Sequence, residues 1–235
     1  MAELLLQPSS LDEDGSLSIA DMMAGLMVVF MFIAITYIRN VSEQRDAVRE
    51  IAVTWQESEV AILDALRDEF EDDLQRWNAE IDAETLAVRF KSPEVLFATG
   101  SAELRPEFAD ILRDFFPRYL RVLGAHSHNL SEIRIEGHTS SAWNRDTSPE
   151  DAYFLNMALS QERTRSVLQH VLGLREVEAN RDWARGMVTA NGLSSSQLIE
   201  RNGGEDPEAS RRVEFKIRTN AKTQILRVLD TLEAG

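Results

Sequence analysis

One carboxylate, Asp21, stands near the start of an almost unbroken apolar run from Ile19 to Ile38. A charged carboxylate at the centre of a membrane costs about 2.5 to 3.5 kcal/mol, so such residues usually face a partner helix or a proton path. Ala24 and Gly25 are small residues at the same depth, and small residues let a neighbouring helix approach closely. The pattern predicts that Asp21 belongs to an ion site completed by helices of another protein. The alternative is that the helix begins at Met22, with Asp21 as its N-cap in the headgroup region.

The sequence lacks the usual residue combinations for catalysis or metal binding. It has no cysteine, which excludes disulfides and thiolate chemistry. A metal site built from its four histidines would need folding to bring pairs together, and His126 and His128 lie in a polar loop. His138 has no Ser or Cys nucleophile at a recognisable spacing, so we interpret it as a residue that fixes a loop. We therefore expect no enzyme activity, no metal and no cofactor.

The composition argues against a nucleic-acid partner. Acidic residues outnumber basic ones 40 to 25, the formal net charge is -15, and the sequence shows no basic patch. Phosphate backbones would be repelled by such a chain.

The apolar run is long enough to cross a membrane once. Its 20 residues would form a helix of about 30 Å, the thickness of the hydrocarbon core. A signal peptide would have a basic start and an apolar stretch of about 7 to 15 residues, whereas residues 1–18 contain no Lys or Arg. We predict an N-terminal tail over 1–18 and a retained transmembrane helix over 19–38. Arg39, Arg45 and Arg49 follow the span, and the positive-inside rule alone puts the C-terminal part in the cytoplasm.

Residues 39–82 are predicted to form an amphipathic linker helix. Apolar residues recur at spacings of three, four or seven without an intervening Pro or Gly, at Val48, Ile51, Trp55, Ile62, Leu66, Phe70, Leu74, Trp77 and Ile81. The other faces are densely acidic, so we favour a self-pairing coiled coil and hence a homodimer. The alternative is a helix that lies on the C-terminal domain of its own chain.

Residues 83–221 are predicted to form a compact α+β domain with a mixed sheet, and residues 222–235 a helical tail. Strand-like alternation and helical periodicity follow one another in the order strand, helix, strand, helix, strand, strand (βαβαββ). The clearest segments are residues 85–90, 105–124, 132–139, 156–173 and 211–219.

Four ordered blocks of this domain resemble the OmpA-like peptidoglycan-binding family. They are LFATGSAELRPE, IRIEGHTSS, NMALSQERTRSVLQHV and RRVEFKI, which lie within residues 84–220. In that family the diaminopimelate of the stem peptide is held by an Asp after the Gly-His-Thr block and by the Arg of a Leu-Ser-x-x-Arg helix. The resemblance implies that the binding residues here are Thr139, Ser140, Leu155, Asn156, Leu159 and Arg163.

Ser140 stands where the family has its Asp, which is a departure with chemical consequences. A serine offers only a neutral hydrogen bond, roughly half as strong as one to a carboxylate. Either a nearby acid replaces the Asp, or binding is weaker or altered. The candidates are Asp146, Glu150 and Asp151. Arg163 can still hold a carboxylate through two hydrogen bonds, and its alternative role is a surface ion pair with Glu162.

The order of parts resembles MotB, the flagellar stator subunit. The resemblance implies a dimer of this chain inside a pentameric ring of MotA-like subunits, with Asp21 as the ion carrier. It also implies a bacterial inner-membrane protein with a cytoplasmic N-terminus and a periplasmic wall-binding domain. This orientation is opposite to the one that the positive-inside rule gives from the three arginines after the span. The acidic segment Leu11–Gly15 and the missing Asp are more similar to the MotB-like subunits of Zorya anti-phage defence systems, whose ring is formed by ZorA. A flagellar-type stator subunit and a passive peptidoglycan tether are the alternatives.

Overall fold

The computed structural model describes residues 11–91, 93–98, 100–220, 223 and 226, and the side chains of residues 11–19, 93 and 94 are outside that description. The predicted tails over 1–18 and 222–235 therefore lie largely outside the described residues. The described residues divide into two compact units, with residues 11–52 in the first and residues from 53 to 223 in the second.

A single helix, α1 (Leu11–Leu74), covers the predicted membrane span and most of the predicted linker. From Ala20 onward it is long and apolar enough to cross a membrane, by length and composition. The apolar side chains of the span are exposed, with Phe30 at 61 %. Asp21 lies inside α1, well after its first residue. The N-cap alternative, in which the helix begins at Met22, is therefore wrong.

Helix α1 ends at Leu74, whereas the sequence predicted a helix to residue 82. Asn78 has a φ of 48°, a left-handed conformation that asparagine tolerates. The chain then enters strand β1 (Ala79–Asp82), which pairs antiparallel with β2 (Ala87–Phe90). Arg89 of β2 donates to Glu80 Oε1 at 2.8 Å and to Asp82 Oδ2 at 2.7 Å. These ion pairs explain why the last acidic residues of the predicted helix lie in a strand.

The C-terminal part of α1 packs on its own chain. Ile62, Leu66 and Phe70 are fully buried in the hydrophobic core of residues 53–224. At the polar edge of this contact, Trp55 Nε1 donates to Thr219 Oγ1 at 2.9 Å. These residues cannot also form the seam of a coiled coil, so the coiled-coil prediction is wrong for this segment. The alternative, a helix that lies on the C-terminal domain of its own chain, is correct here. The homodimer stays a prediction.

The remaining elements reproduce the predicted βαβαββ order with additions. Two long helices, α3 (Pro106–Ala125) and α4 (Pro149–Gly173), alternate with β2, β3 (Leu130–His138) and β4 (Val188–Gly192), and β7 (Arg212–Thr219) closes the domain. Helix α4 begins seven residues before the predicted start because Ser148 caps it, its hydroxyl accepting from the Asp151 N–H at 3.1 Å. The additions are β1, α2 (Pro93–Leu96), α5 (Arg181–Met187), the hairpin β5 (Glu200–Arg201) and β6 (Gly204–Glu205), α6 (Pro207–Ser210), and 3-10 turns at Ser127–Asn129 and Arg175–Asn180.

The five-stranded sheet has the order β1-β2-β7-β3-β4. Only β3 and β4 pair in parallel, so the sheet is mixed and the α+β prediction is confirmed. The central strands β3 and β7 run antiparallel from the pair Leu130–Thr219 to the pair His138–Arg212. One face of this pair carries the core, where Phe215 of β7 and Phe115 of α3 have ring centroids 5.1 Å apart.

Two glycines let α4 approach the sheet closely. A Cβ at Gly137 would lie 2.7 Å from Thr164 Cγ2 and 3.0 Å from the Ser160 carbonyl oxygen, and a Cβ at Gly192 would lie 2.2 Å from the Gln161 nitrogen. A side chain at either position would push the helix away. This close packing brings one face of α4 against the loop that follows β3.

Candidate functional site

A cavity of about 370 Å³ lies where the loop after β3 meets α4. Five of the six predicted binding residues line it, since Asn156, Leu159 and Arg163 recur on one face of the helix and Thr139 and Ser140 follow β3. Leu155 is 42 % exposed and is not part of the lining. The described lining consists of Phe97, Gly100, Thr139, Ser140, Ala142, Trp143, Asn156, Leu159, Arg163 and Arg211.

Asn156 positions the loop that forms one wall of the pocket. Its side chain is buried, and Nδ2 donates to the carbonyl oxygens of Ser140 at 3.1 Å and Ala142 at 3.2 Å. Because one amide holds two nearby carbonyls, the loop from Thr139 to Trp143 is fixed to α4. The structure therefore gives Asn156 a supporting role in the wall.

Arg163 is buried and is held by backbone oxygens. Its Nε donates to the Ser101 carbonyl at 2.9 Å and Nη2 to the Ala98 carbonyl at 3.4 Å, while the guanidinium carbon lies 4.8 Å from the centre of the Phe97 ring. Burial, and then the charge of Arg211, lowers the pKa of Arg163 to about 10, so it is still charged at neutral pH. No carboxylate among the described residues pairs with it, and the surface ion pair with Glu162 is not formed.

Arg211 is a pocket residue that sequence reasoning missed. It precedes β7 and lines the cavity, and its Nε is buried without a hydrogen-bond partner among the described residues. Arg212, the next residue, points elsewhere because successive strand residues face opposite sides; its Nε donates to Glu214 Oε1 at 2.5 Å. The motif RRVEF contained the signal, but alternation was needed to separate the two arginines.

None of the acids proposed to replace the family Asp lines the pocket. Asp151 Oδ2 accepts from the Ser148 hydroxyl at 2.7 Å at the start of α4, and the Asp146 N–H donates to Asn144 Oδ1 at 3.0 Å. The carboxylate that does reach the loop belongs to Glu205, which accepts from the N–H of Ser141 at 2.9 Å and from its hydroxyl. The described lining therefore contains two guanidinium groups and no carboxylate.

A buried polar cluster lies next to the pocket in the chain. His138 Nε2 is 3.8 Å from Glu136 Oε2 and 3.9 Å from Glu214 Oε2, and neither ring nitrogen has a hydrogen-bond partner among the described residues. Burial, with the charge of Arg212 adding to it, lowers the pKa of His138 to about 3. The imidazole is therefore neutral in the folded domain.

This cluster has the spacing of a metal site but already has cationic partners. The ligand atoms of Glu136, His138 and Glu214 lie within 4.8 Å of one another. However, Glu214 Oε1 also accepts from Arg89 Nε at 2.7 Å, and Lys216 Nζ is 3.6 Å from Glu136 Oε2. Because protein cations surround both carboxylates, we assign the cluster a structural role.

Asp21 is exposed on α1 in the first compact unit. One turn later, a Cβ at Gly25 would meet nothing within 4 Å. The helix thus presents a carboxylate and a small-residue position on neighbouring turns.

Comparison with known proteins gives one close relative and several distant structures. The chain is 49% identical to Zorya protein ZorB of Escherichia coli (strain ATCC 8739) over 219 residues, which are 93% of each chain. No family model matches the chain. Among solved structures, a MotB-like protein from Desulfovibrio vulgaris is 24% identical, covers 73% of this chain and 95% of its own, and has a TM-score of 0.47. The cell wall anchor of the T6SS from Pseudomonas aeruginosa is 23% identical, with 66% and 96% covered and a TM-score of 0.45.

Proposed function

This chain belongs to the ZorB family, and we propose that it is the wall-anchored subunit of an ion-driven inner-membrane motor in Zorya anti-phage defence. The observation that carries the proposal is the pocket in which Arg163 and Arg211 face a cavity without a carboxylate among its described lining residues. Such a pocket is suited to an anionic ligand held at a fixed place on the domain. The chain is a motor subunit and has no catalytic role of its own.

The ligand of the pocket is the stem peptide of peptidoglycan. A guanidinium binds a carboxylate through two parallel hydrogen bonds, and Arg163 is already ordered by its bonds to Ser101 and Ala98. Little side-chain entropy is then lost when the ligand binds. Peptidoglycan lies outside the inner membrane, so this ligand places the domain in the periplasm and the N-terminus in the cytoplasm.

Asp21 carries the ion. Protonation removes the charge that makes a carboxylate costly in hydrocarbon, and deprotonation restores it, so each cycle changes how the helix interacts with its surroundings. One elementary charge that moves through 100 mV releases about 2.3 kcal/mol. Two copies of this chain within a ring of five ZorA subunits would convert that energy into stepwise rotation, because the wall prevents the dimer from turning with the ring.

Wall binding is tested with Arg163→Ala in the full-length protein. We expect the variant to lose retention on purified peptidoglycan sacculi, because no described residue supplies a second ordered guanidinium at that position. The matched control is Arg165→Ala, since Arg165 is exposed on the same helix. Undiminished retention of Arg163→Ala would contradict the assigned site.

Ion carriage is tested with Asp21→Asn, which removes the ionisable group at nearly constant size. We expect loss of phage protection with unchanged membrane level and unchanged retention on sacculi. The control is Asp46→Asn, because Asp46 is exposed on the same helix beyond the apolar run. Full protection by Asp21→Asn would leave the passive tether as the better account.

A further inference from the structure

Two guanidinium groups share the pocket, and only one of them is accounted for by the OmpA-like resemblance. Arg163 lies on α4, whereas Arg211 lies immediately before β7 and also lines the cavity. The Nε of Arg211 is buried and has no hydrogen-bond partner among the described residues. A buried donor without a partner is costly unless a ligand or water satisfies it. Arg211 lines the cavity and lies close enough to Arg163 for its charge to lower the pKa of Arg163, so the cavity wall carries two positive charges.

Negative charge that would balance the two arginines is absent from the described lining. Ser140 stands at the position of the family Asp, and the nearby carboxylate of Glu205 accepts hydrogen bonds from the N–H and the hydroxyl of Ser141. A ligand with an ammonium next to its carboxylate would place a third positive charge in the cavity, and this charge would find no carboxylate partner. A ligand with a carboxylate next to a neutral amide would meet no such penalty.

The peptidoglycan stem provides both kinds of end. A stem that is not cross-linked carries diaminopimelate with a free ammonium and a carboxylate on the same carbon. In a cross-link that amine is acylated, so it becomes a neutral amide while the carboxylate stays charged. The remaining walls, which include Leu159 and Trp143, are apolar enough to contact the methylene chain common to both forms.

We propose that Arg211 and Arg163 together clamp a carboxylate, and that the pocket selects diaminopimelate whose side-chain amine is acylated, as in a cross-link, over the free-ammonium form. This inference rests on the proposed function, because it specifies which form of the wall peptide the same site binds. Its consequence is that the subunit is anchored at cross-linked positions of the wall.

The test is calorimetric titration of the full-length protein in detergent micelles with two probes: diaminopimelate whose L-centre amine is acylated and carboxylate amidated, as in the stem peptide, and the same compound acetylated on its remaining amine. We expect the acetylated probe to bind roughly tenfold tighter, as the loss of one unpaired charge would give. Arg211→Gln should weaken binding of the acetylated probe by about tenfold and abolish the discrimination. Arg218→Gln, at an exposed position of β7, should behave as wild type.

A second variant keeps the inference testable if Arg211→Gln does not fold. Ser140→Asp adds a carboxylate to the pocket, and we expect it to reverse the preference in favour of the free-ammonium probe. Equal binding of both probes by the wild type, or tighter binding of the free-ammonium probe, would overturn the inference, as would wild-type behaviour of Arg211→Gln. Retention on sacculi without binding of either probe would also overturn it and leave the proposed function intact. If the wild type neither bound the probes nor was retained on sacculi, both the inference and the proposed wall-binding function would be overturned.

Discussion

Lowering the pH from 7 to 5 is expected to destabilise the domain by about 2 kcal/mol through one residue, His138. Its side chain is fully buried beside Glu136 and Glu214, and burial together with the charge of Arg212 lowers its pKa to about 3. An unfolded histidine has a pKa of about 6.5. The folded domain therefore excludes a proton that the unfolded chain accepts.

The sign and size of the effect follow from this difference. Because the folded pKa is the lower one, the stability is complete above about pH 6.5 and is lost as the pH falls toward 3. At pH 5 the unfolded histidine is almost fully protonated while the folded one is neutral, which gives about 2 kcal/mol between pH 7 and 5. The pKa of Glu214 would be raised by burial, but the hydrogen bond and charge of Arg212 lower it below 4.5, so its contribution is lost at a lower pH.

The assay is urea unfolding of the full-length protein in micelles at both pH values, followed by tryptophan fluorescence. Trp77 is 4 % exposed in the core and reports loss of packing. His138→Gln should lose about 2 kcal/mol less than wild type between pH 7 and 5. His128→Gln, at an exposed position, should keep the wild-type loss. An identical pH dependence in His138→Gln would refute the assignment of a neutral buried imidazole.

Two further predictions concern the packing that positions the site. Leu66→Ala should lower the free energy of unfolding by about 2 to 5 kcal/mol because it leaves a cavity in the core. Val60→Ala, at a side chain 49 % exposed, should change the free energy of unfolding by less than about 0.5 kcal/mol. Equal effects of the two substitutions in urea unfolding would contradict the packing of α1 on the domain. Gly137→Ala should displace α4 and reduce retention on sacculi, because its Cβ would lie 2.7 Å from Thr164 Cγ2. Gly124→Ala, where a Cβ meets nothing within 4 Å, should retain binding, and unchanged retention of Gly137→Ala would show that the helix position does not control the pocket.

Periodicity predicted the order of strands and helices because it reports which face of a segment is buried. It could not report which chain buries that face. The stripe through Ile62, Leu66 and Phe70 fits a coiled coil between two copies as well as a helix on its own domain, and only the three-dimensional core of Phe115 and its neighbours distinguishes them. Likewise, the helical spacing continued through Trp77 to Ile81 and gave no warning of the left-handed conformation at Asn78, where the predicted helix is interrupted.

The pocket was predictable where it depends on one local motif and was missed where it depends on distant ones. Leu159 and Arg163 share a helix face, so their meeting follows from their spacing. Arg211 comes from a different strand, and its role depends on Arg212 turning to the other face to pair with Glu214. The hydrogen bonds of Glu205 to the pocket loop also join segments far apart in sequence, and no residue pattern reports them.

Two residues that line the pocket adjoin the central strands of the sheet in sequence. Thr139 follows His138, and Arg211 precedes Arg212. His138 and Arg212 face each other at one end of the β3–β7 ladder. Glu136 and Glu214 also face each other in this ladder; two such charges would repel without Arg89, Arg212 and Lys216. The buried cluster thus uses neighbouring cations to keep the two strands paired directly beside the residues that line the pocket. In the proposed wall-anchored subunit, a load on the ligand would therefore pass from Thr139 and Arg211 directly into the two central strands.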